Sequence, residues 1–259
     1  MSSSRADGTP PPRWLVRLGA FFFKVRNQLF TMLLLIMVIG LHPVQAGGTE
    51  ASDRLWNLVG LLVAAAGESL RVLVIGTRYI RRGGLNKKVY ADSLVTEGLF
   101  AHCRNPLYVG NLLLYVGLFI IYNNPWAYVI GLALALFAYS AIVAAEEDFL
   151  LNRFGQQYQD YCRRVPRWIP RLSGLRATLA DGRFDWARVL RKEHTQLLTL
   201  GLGCMLVWAR ETLAYRTVHE SAGQLLLLAI SGVVLVVIWR GILEMKRTGR
   251  LGQDATPEG

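Results

Sequence analysis

The residues in this chain best placed to do chemistry are Arg104-Asn105-Pro106-Leu107-Tyr108 and the later carboxylate pair Glu146-Glu147, followed by Asp148. A proline is tolerated at the first helical position, and the free backbone N–H groups of a helix start attract an anion. Two adjacent carboxylates at a helix C-terminus oppose its dipole, which is unfavourable unless a partner compensates them. A cationic ligand is one such partner, and a charge cluster facing lipid headgroups is another.

The elements that must position these groups can be read from the pattern around them. Asn123-Asn124-Pro125 interrupts the apolar run between Pro106–Tyr122 and Trp126–Ala145, so the two stretches form an antiparallel hairpin whose far ends meet. At about 1.5 Å per residue, Tyr108 stands roughly 24 Å and Glu146 roughly 33 Å from that turn, a difference that tilt absorbs. Four further apolar stretches, Leu29–Leu41, Leu55–Ile75, Leu197–Ala209 with its continuation to Val218, and Gln224–Trp239, complete a set of six. The expected fold is all-α: a polytopic membrane protein of about six spanning helices, with a helical hairpin.

The expected organisation is a disordered and basic N-terminal tail over 1–28 and two spans over 29–75. A core over 76–172 holds the hairpin 106–147. An amphipathic basic linker over 173–196 and two C-terminal spans with a tail over 197–259 complete it. The linker, with Trp186 among its cations, suits the headgroup layer.

Composition supports a membrane class. Of 259 residues 53% are hydrophobic and the mean hydropathy is +0.30, too apolar for an ordinary soluble domain of this size. The formal charge of +11 is gathered outside the apolar runs: 5 Lys and Arg in the N-terminal region, 6 in 76–105, 10 in 146–196 and 4 from Arg240 onward. The opposite side holds only Arg54 and Arg216, so both termini and the two long loops are expected in the cytoplasm, with a bacterial inner membrane as the site. Such a basic balance points to anionic lipid headgroups, and no nucleic-acid partner is expected. Cys103, Cys162 and Cys204 lack metal-ligand or disulfide spacing, and no metal is expected. A basic lead, the run Leu29–Leu41 and Val44-Gln45-Ala46 also fit a cleaved signal peptide as an alternative to a first span.

Within spans, Glu68 and Arg71 lie three apart and are expected to pair on one helix face, and Arg210-Glu211 to sit near the outer interface.

S-adenosylmethionine matches the charge layout of the hairpin ends, having a sulfonium and an ammonium for the carboxylates and a carboxylate for Arg104 and the helix start. The layout alone does not choose it over a headgroup-facing cluster. Five ordered blocks add a family: Leu94-Val95-Thr96-Glu97-Gly98-Leu99-Phe100, Arg104-Asn105-Pro106-Leu107-Tyr108-Val109-Gly110, Glu146-Glu147, Phe154-Gly155-x-x-Tyr158-x-x-Tyr161 and Val165-Pro166-Arg167-x-Ile169-Pro170. Together they resemble the isoprenylcysteine carboxyl methyltransferase and phospholipid methyltransferase family over about residues 85–172.

The resemblance implies a cytoplasmic cofactor pocket at the end of the hairpin, in which Ser93, Leu94, Val95 and Phe100 line S-adenosylmethionine. It implies that Asn105, Pro106, Leu107 and Tyr108 hold its methionine end, and that Glu146 and Glu147 bind its polar groups. Arg104, Tyr108 and Glu147 are the candidate catalytic residues, with Tyr158, Tyr161 and Arg163-Arg164 contributing to a lid. The partners implied are membrane lipids and a lipophilic or prenylated acceptor that enters from the bilayer. The oligomeric state is left open.

Three departures bear on specificity. Asn105 stands where the family usually has His and cannot titrate near neutral pH. Phe100 replaces Tyr, and Tyr139–Ala145 lacks the cations that eukaryotic isoprenylcysteine enzymes carry before the Glu pair. A sterol-reductase-like NADPH enzyme and a non-enzymatic transporter or scaffold are the competing readings.

Overall fold

The structure is a computed structural model and describes residues 11–77, 89, 91–181 and 184–252. Among the described residues there is no strand. The helices are α1 (Arg13–Gly40), α2 (Glu50–Thr77), α3 (Pro106–Tyr122), α4 (Ala133–Arg164), α5 (Leu175–Asp181), α6 (Trp186–Tyr215) and α7 (Val218–Arg247), with a π-helical segment Ala127–Leu132 leading into α4. Five helices are long and apolar enough to cross a membrane, and α3 is a shorter apolar helix. The chain is thus an all-helical polytopic membrane protein.

The third apolar stretch coincides with α3, while the others lengthen. Residues 13–28, expected in a basic tail, are instead the first half of α1. Their apolar positions recur at helical spacing, and Gly19 and Phe23 are buried on the face toward α4. The expected tail over 1–10 and most of the 76–90 segment lie outside the described residues. The 173–196 linker resolves into the short α5 and the first turns of α6, which Asp185 caps by accepting from Arg188 N at 2.8 Å.

Helix pairing differs from sequence order. α3 packs along α2 and α4 packs along α1, so the two arms of the hairpin belong to different helix pairs. The α2–α3 contact is close because glycines face each other: a Cβ on Gly67 would sit 2.6 Å from the Gly110 carbonyl oxygen. Small residues that let backbones approach are the usual device for packing helices in lipid, where the hydrophobic effect does not drive association. The seam between the pairs is filled by rings. Phe30 stacks on Tyr139 at 4.5 Å and on Tyr115 at 5.0 Å, and Tyr108 meets Tyr139 at 5.3 Å. Aromatic contacts of this kind contribute about 0.5–1.5 kcal/mol each beyond area burial.

The turn of the hairpin is built by its asparagines. Asn123 takes a left-handed conformation, φ 45°, which terminates α3. The Asn124 side chain accepts from Trp126 N at 2.9 Å and donates to His42 O at 2.7 Å, tying the turn to the α1–α2 connection. The π-helical segment that follows is wider than an α-helix and climbs less per residue. It therefore shortens the longer arm and helps Glu146 come level with Tyr108.

Near the far end of α4, Gly155 has φ 49° and ψ −121°, a conformation that favours glycine. The chain kinks there, and the Tyr158–Cys162 turns come back over the start of α3. Tyr158, Tyr161, Cys162 and Val165 form a buried cluster with Leu94 packed against it.

Candidate functional site

The first turn of α3 and its preceding residues are held by the segment that follows α4. Arg104 N donates to Pro166 O at 2.9 Å and Arg171 N donates to His102 O at 2.9 Å. The Asn105 amide donates to Arg167 O at 3.1 Å, and the Cys103 thiol donates to Trp168 O at 3.3 Å. Two motif blocks about sixty residues apart in sequence are thereby knitted together, and Val165–Pro170 lies against Arg104–Leu107 as a cover. Burial pushes the Cys103 thiol up to about 11, so it stays neutral.

Across the hairpin, Tyr108 Oη donates to Glu146 Oε1 at 2.6 Å. Arg104 Nη1 lies 3.2 Å from Glu147 Oε1, and Arg167 grips the same carboxylate with Nη2 at 2.7 Å and Nε at 3.0 Å. Arg104 Nη1 also meets Cys162 Sγ at 2.9 Å. Burial works against the Arg104 charge. Glu147, with Cys162 and Tyr158 nearby, more than offsets that and holds the guanidinium pKa above its ordinary value.

The expected residues are not equally placed. Arg104, Asn105, Pro106, Tyr108, Glu146 and Glu147 converge at one end of the hairpin. Leu107 is half-buried beside them, and Val95 is half-buried on the neighbouring segment. Leu94 packs on the Tyr158 cluster, while Phe100 joins through its carbonyl oxygen, which accepts from Tyr161 Oη at 2.8 Å. Ser93 is exposed. Of the lid candidates, Tyr158 and Tyr161 are buried in the cover, whereas Arg163 pairs with Asp160 on the exposed face and Arg164 is exposed beside it.

Reading the sequence missed two members, Arg167 and Cys162. Arg167 lies inside the Val-Pro-Arg block, and the carboxylate pair needing cations was its available signal. The partner expected from a ligand is supplied in part by the chain itself. For Cys162 the sequence held no signal, because only the kink at Gly155 brings it to Arg104.

The donor set matches the charges of S-adenosylmethionine. Two guanidiniums converge on the single carboxylate of Glu147, leaving a positive excess suited to the methionine carboxylate. Arg104 Nε is buried and has no hydrogen-bond partner among the described residues, and such an atom calls for an acceptor. Glu146, held by Tyr108, provides a second carboxylate for the cationic groups. The residues fit the group.

The phospholipid methyltransferase family profile matches residues 57–157. Mouse protein-S-isoprenylcysteine O-methyltransferase is 32% identical over 126 residues, which covers 48% of this chain and 44% of that protein. The human protein of the same name is 30% identical over 128 residues, with 48% and 44% covered. The nickel-cobalt-cadmium resistance protein of Alcaligenes xylosoxydans xylosoxydans is 42% identical over 88 residues, with 34% and 40% covered. The chain thus spans less than half the length of these relatives. No solved structure matches significantly. The stretch that resembles the phospholipid methyltransferase family, residues 57–157, carries Arg104, Tyr108, Glu146 and Glu147.

Proposed function

We propose that this protein is an integral membrane methyltransferase that moves a methyl group from S-adenosylmethionine to a lipophilic acceptor, either a prenylcysteine-like carboxylate or a lipid headgroup. The observation that carries the reading is the paired contact across the hairpin, Tyr108 with Glu146 at 2.6 Å and Arg104 with Glu147 at 3.2 Å. It joins the matched family segment to the chemistry that a cofactor with both charges requires. The site faces the cytoplasm in this reading, because the arginine-rich loops flank it, and both termini lie on the same side in a bacterial inner membrane.

When bound, the cofactor supplies a methyl group on a sulfonium, open to in-line displacement. Arg104 and Arg167 would hold its carboxylate, and Glu146 and Glu147 its cationic groups. Asn105, Pro106, Leu107 and Tyr108 would hold its methionine end, and Ser93, Leu94, Val95 and Phe100 would line it. The protein's main work is alignment and exclusion of water. The Val165–Pro170 cover serves the second task, being tied by backbone hydrogen bonds to His102 and Arg104. A carboxylate acceptor is already anionic and needs no base. For an amine acceptor the proton would pass to Glu147, or through the Tyr108 hydroxyl to Glu146, the carboxylate to which Tyr108 donates. Of the two we favour the Tyr108 route, because Glu147 is already held by two cations.

The test is thermal shift with S-adenosylhomocysteine and NADP, then labelled-methyl transfer to total membrane lipid and to farnesylcysteine. Stabilisation by S-adenosylhomocysteine and label in one acceptor support the reading. Stabilisation by NADP alone sinks it.

A further inference from the structure

The two most deeply buried charges among the described residues lie outside the site, at Arg71 on α2 and Glu193 on α6. The Arg71 side chain is fully buried. Nη2 meets Glu193 Oε2 of α6 at 2.5 Å, with both side chains at 0% exposure. Nη1 donates to Asn111 Oδ1 of α3, and Nε lies 3.5 Å from Glu68 Oε2. The Glu68–Arg71 pair expected from spacing is therefore present, yet it is one side of a larger cluster that ties three helices. Ionised groups within a membrane span are expensive and are rarely kept without a use.

A strut between α2 and α6 would not need this cluster. The base of α6 is already fastened to α2, because Asp185 N donates to Gly76 O at 2.9 Å and the Phe184 ring packs against Gly76. Apolar contacts would join the helices farther in at less cost than a desolvated ion pair. The cluster instead reaches past α2 to α3. Gly110 leaves room for the Arg71 side chain, and a Cβ there would lie 2.6 Å from Arg71 Cγ. Asn111 sits one turn after Tyr108, on the same side of α3. The Arg71 charge is within electrostatic reach of the Tyr108, Tyr115 and Tyr139 hydroxyls, which line the seam that opens onto Glu146.

We propose that Arg71 and Glu193 are positioning residues. Acting through Asn111, they set the first turns of α3 so that Tyr108 Oη stays opposite Glu146. The C-terminal helix α6, beyond the segment matched to the family, thereby becomes part of the catalytic unit. The inference rests on the methyltransferase reading for its catalytic consequence but not for its geometry.

The experiment uses the full chain in lipid nanodiscs with 3-fluorotyrosine at position 108, and at position 128 as a control at the other end of the hairpin. Glu193→Gln preserves shape and Arg71→Lys preserves charge. They are expected to move or broaden the ¹⁹F resonance at 108 while leaving 128 in place. They should lower kcat for methyl transfer at least tenfold with the Kd for S-adenosylhomocysteine within twofold of the unaltered protein. Glu193→Asp should restore part of that loss. An unchanged resonance at 108, or an unchanged kcat in variants with a lower Tm, overturns the proposal and leaves a structural tie. If the unaltered protein binds no S-adenosylhomocysteine, the methyltransferase reading fails instead, and the resonance at 108 still decides the geometry.

Discussion

Arg167 holds Glu147 with two nitrogens, Nη2 at 2.7 Å from one carboxylate oxygen and Nε at 3.0 Å from the other. This fork–fork contact joins the cover segment to α4 and places two positive charges, Arg104 and Arg167, on one carboxylate. Charge-assisted, bidentate pairs are the strong members of their class.

Arg167→Ala removes one of those cations and loosens the cover. We expect about a tenfold weaker Kd for S-adenosylhomocysteine, equivalent to about 1.4 kcal/mol, measured by calorimetry on the detergent-solubilised protein. Arg167→Lys, which keeps the charge but not the fork, should recover only part. Equal affinity in all three proteins would remove Arg167 from the site.

Tyr108→Phe keeps the ring in the aromatic seam and deletes the 2.6 Å bond to Glu146. Loss of a donor to this half-buried carboxylate costs about 1 kcal/mol. Methyl transfer should fall at least tenfold while the folded fraction stays near that of the unaltered protein. Full activity in this variant would show that Glu146 needs no help from Tyr108.

Gly155→Ala puts a side chain on a residue at φ 49°, in otherwise open space. The penalty is conformational, about 1–3 kcal/mol, and falls on the kink that returns Tyr158 and Cys162 to the site. Hydrogen exchange should rise over 156–170 and stay unchanged over α2 and α3. A uniform rise would mean that the kink matters for the whole fold.

Cys103 gives a pH dependence with a definite sign. Its thiol is pushed up to about 11 by burial in the folded protein, against about 8.5 when unfolded. The unfolded chain therefore releases the proton first, and this group's contribution is intact below about 8.5 and lost as pH rises toward 11. Between pH 8 and 10 the Tm of Cys103→Ala should decline less steeply than that of the parent, followed by scanning fluorimetry. Maleimide should also fail to label Cys103 at pH 7.5 unless the protein is denatured.

Much of the candidate site was legible in the linear chain. The Asn-Asn-Pro break dictates a hairpin, because so short a connection leaves the two stretches no other path. Pro106 marks a helix start, and Glu146-Glu147 next to basic loops marks the same membrane face. These are local constraints, set by backbone sterics and the cost of placing charge in hydrocarbon, so they need no knowledge of neighbours. The helix-end dipole expected to act on Glu146-Glu147 is absent, because α4 runs on to Arg164 and the pair lies inside the helix.

What the tertiary structure decided is which helices pair and which charges meet. The hairpin arms lie in different pairs because facing glycines let α2 approach α3 more closely than α4 can, and Gly19 does the same for α1 against α4. A glycine in an apolar run says only that close approach is possible, not with what. Arg167, Cys162 and Glu193 were invisible as partners of Glu147, Arg104 and Arg71 for the same reason. Their contacts span 20, 58 and 122 residues of sequence, and only the kink at Gly155 and the docking of α6 bring them within bonding distance. The sequence by itself therefore determined the membrane fold class and the end of the hairpin where charge collects. Packing decided that Glu147 is held by two arginines before any ligand arrives, because long-range ion pairs depend on helix registry that no local pattern encodes.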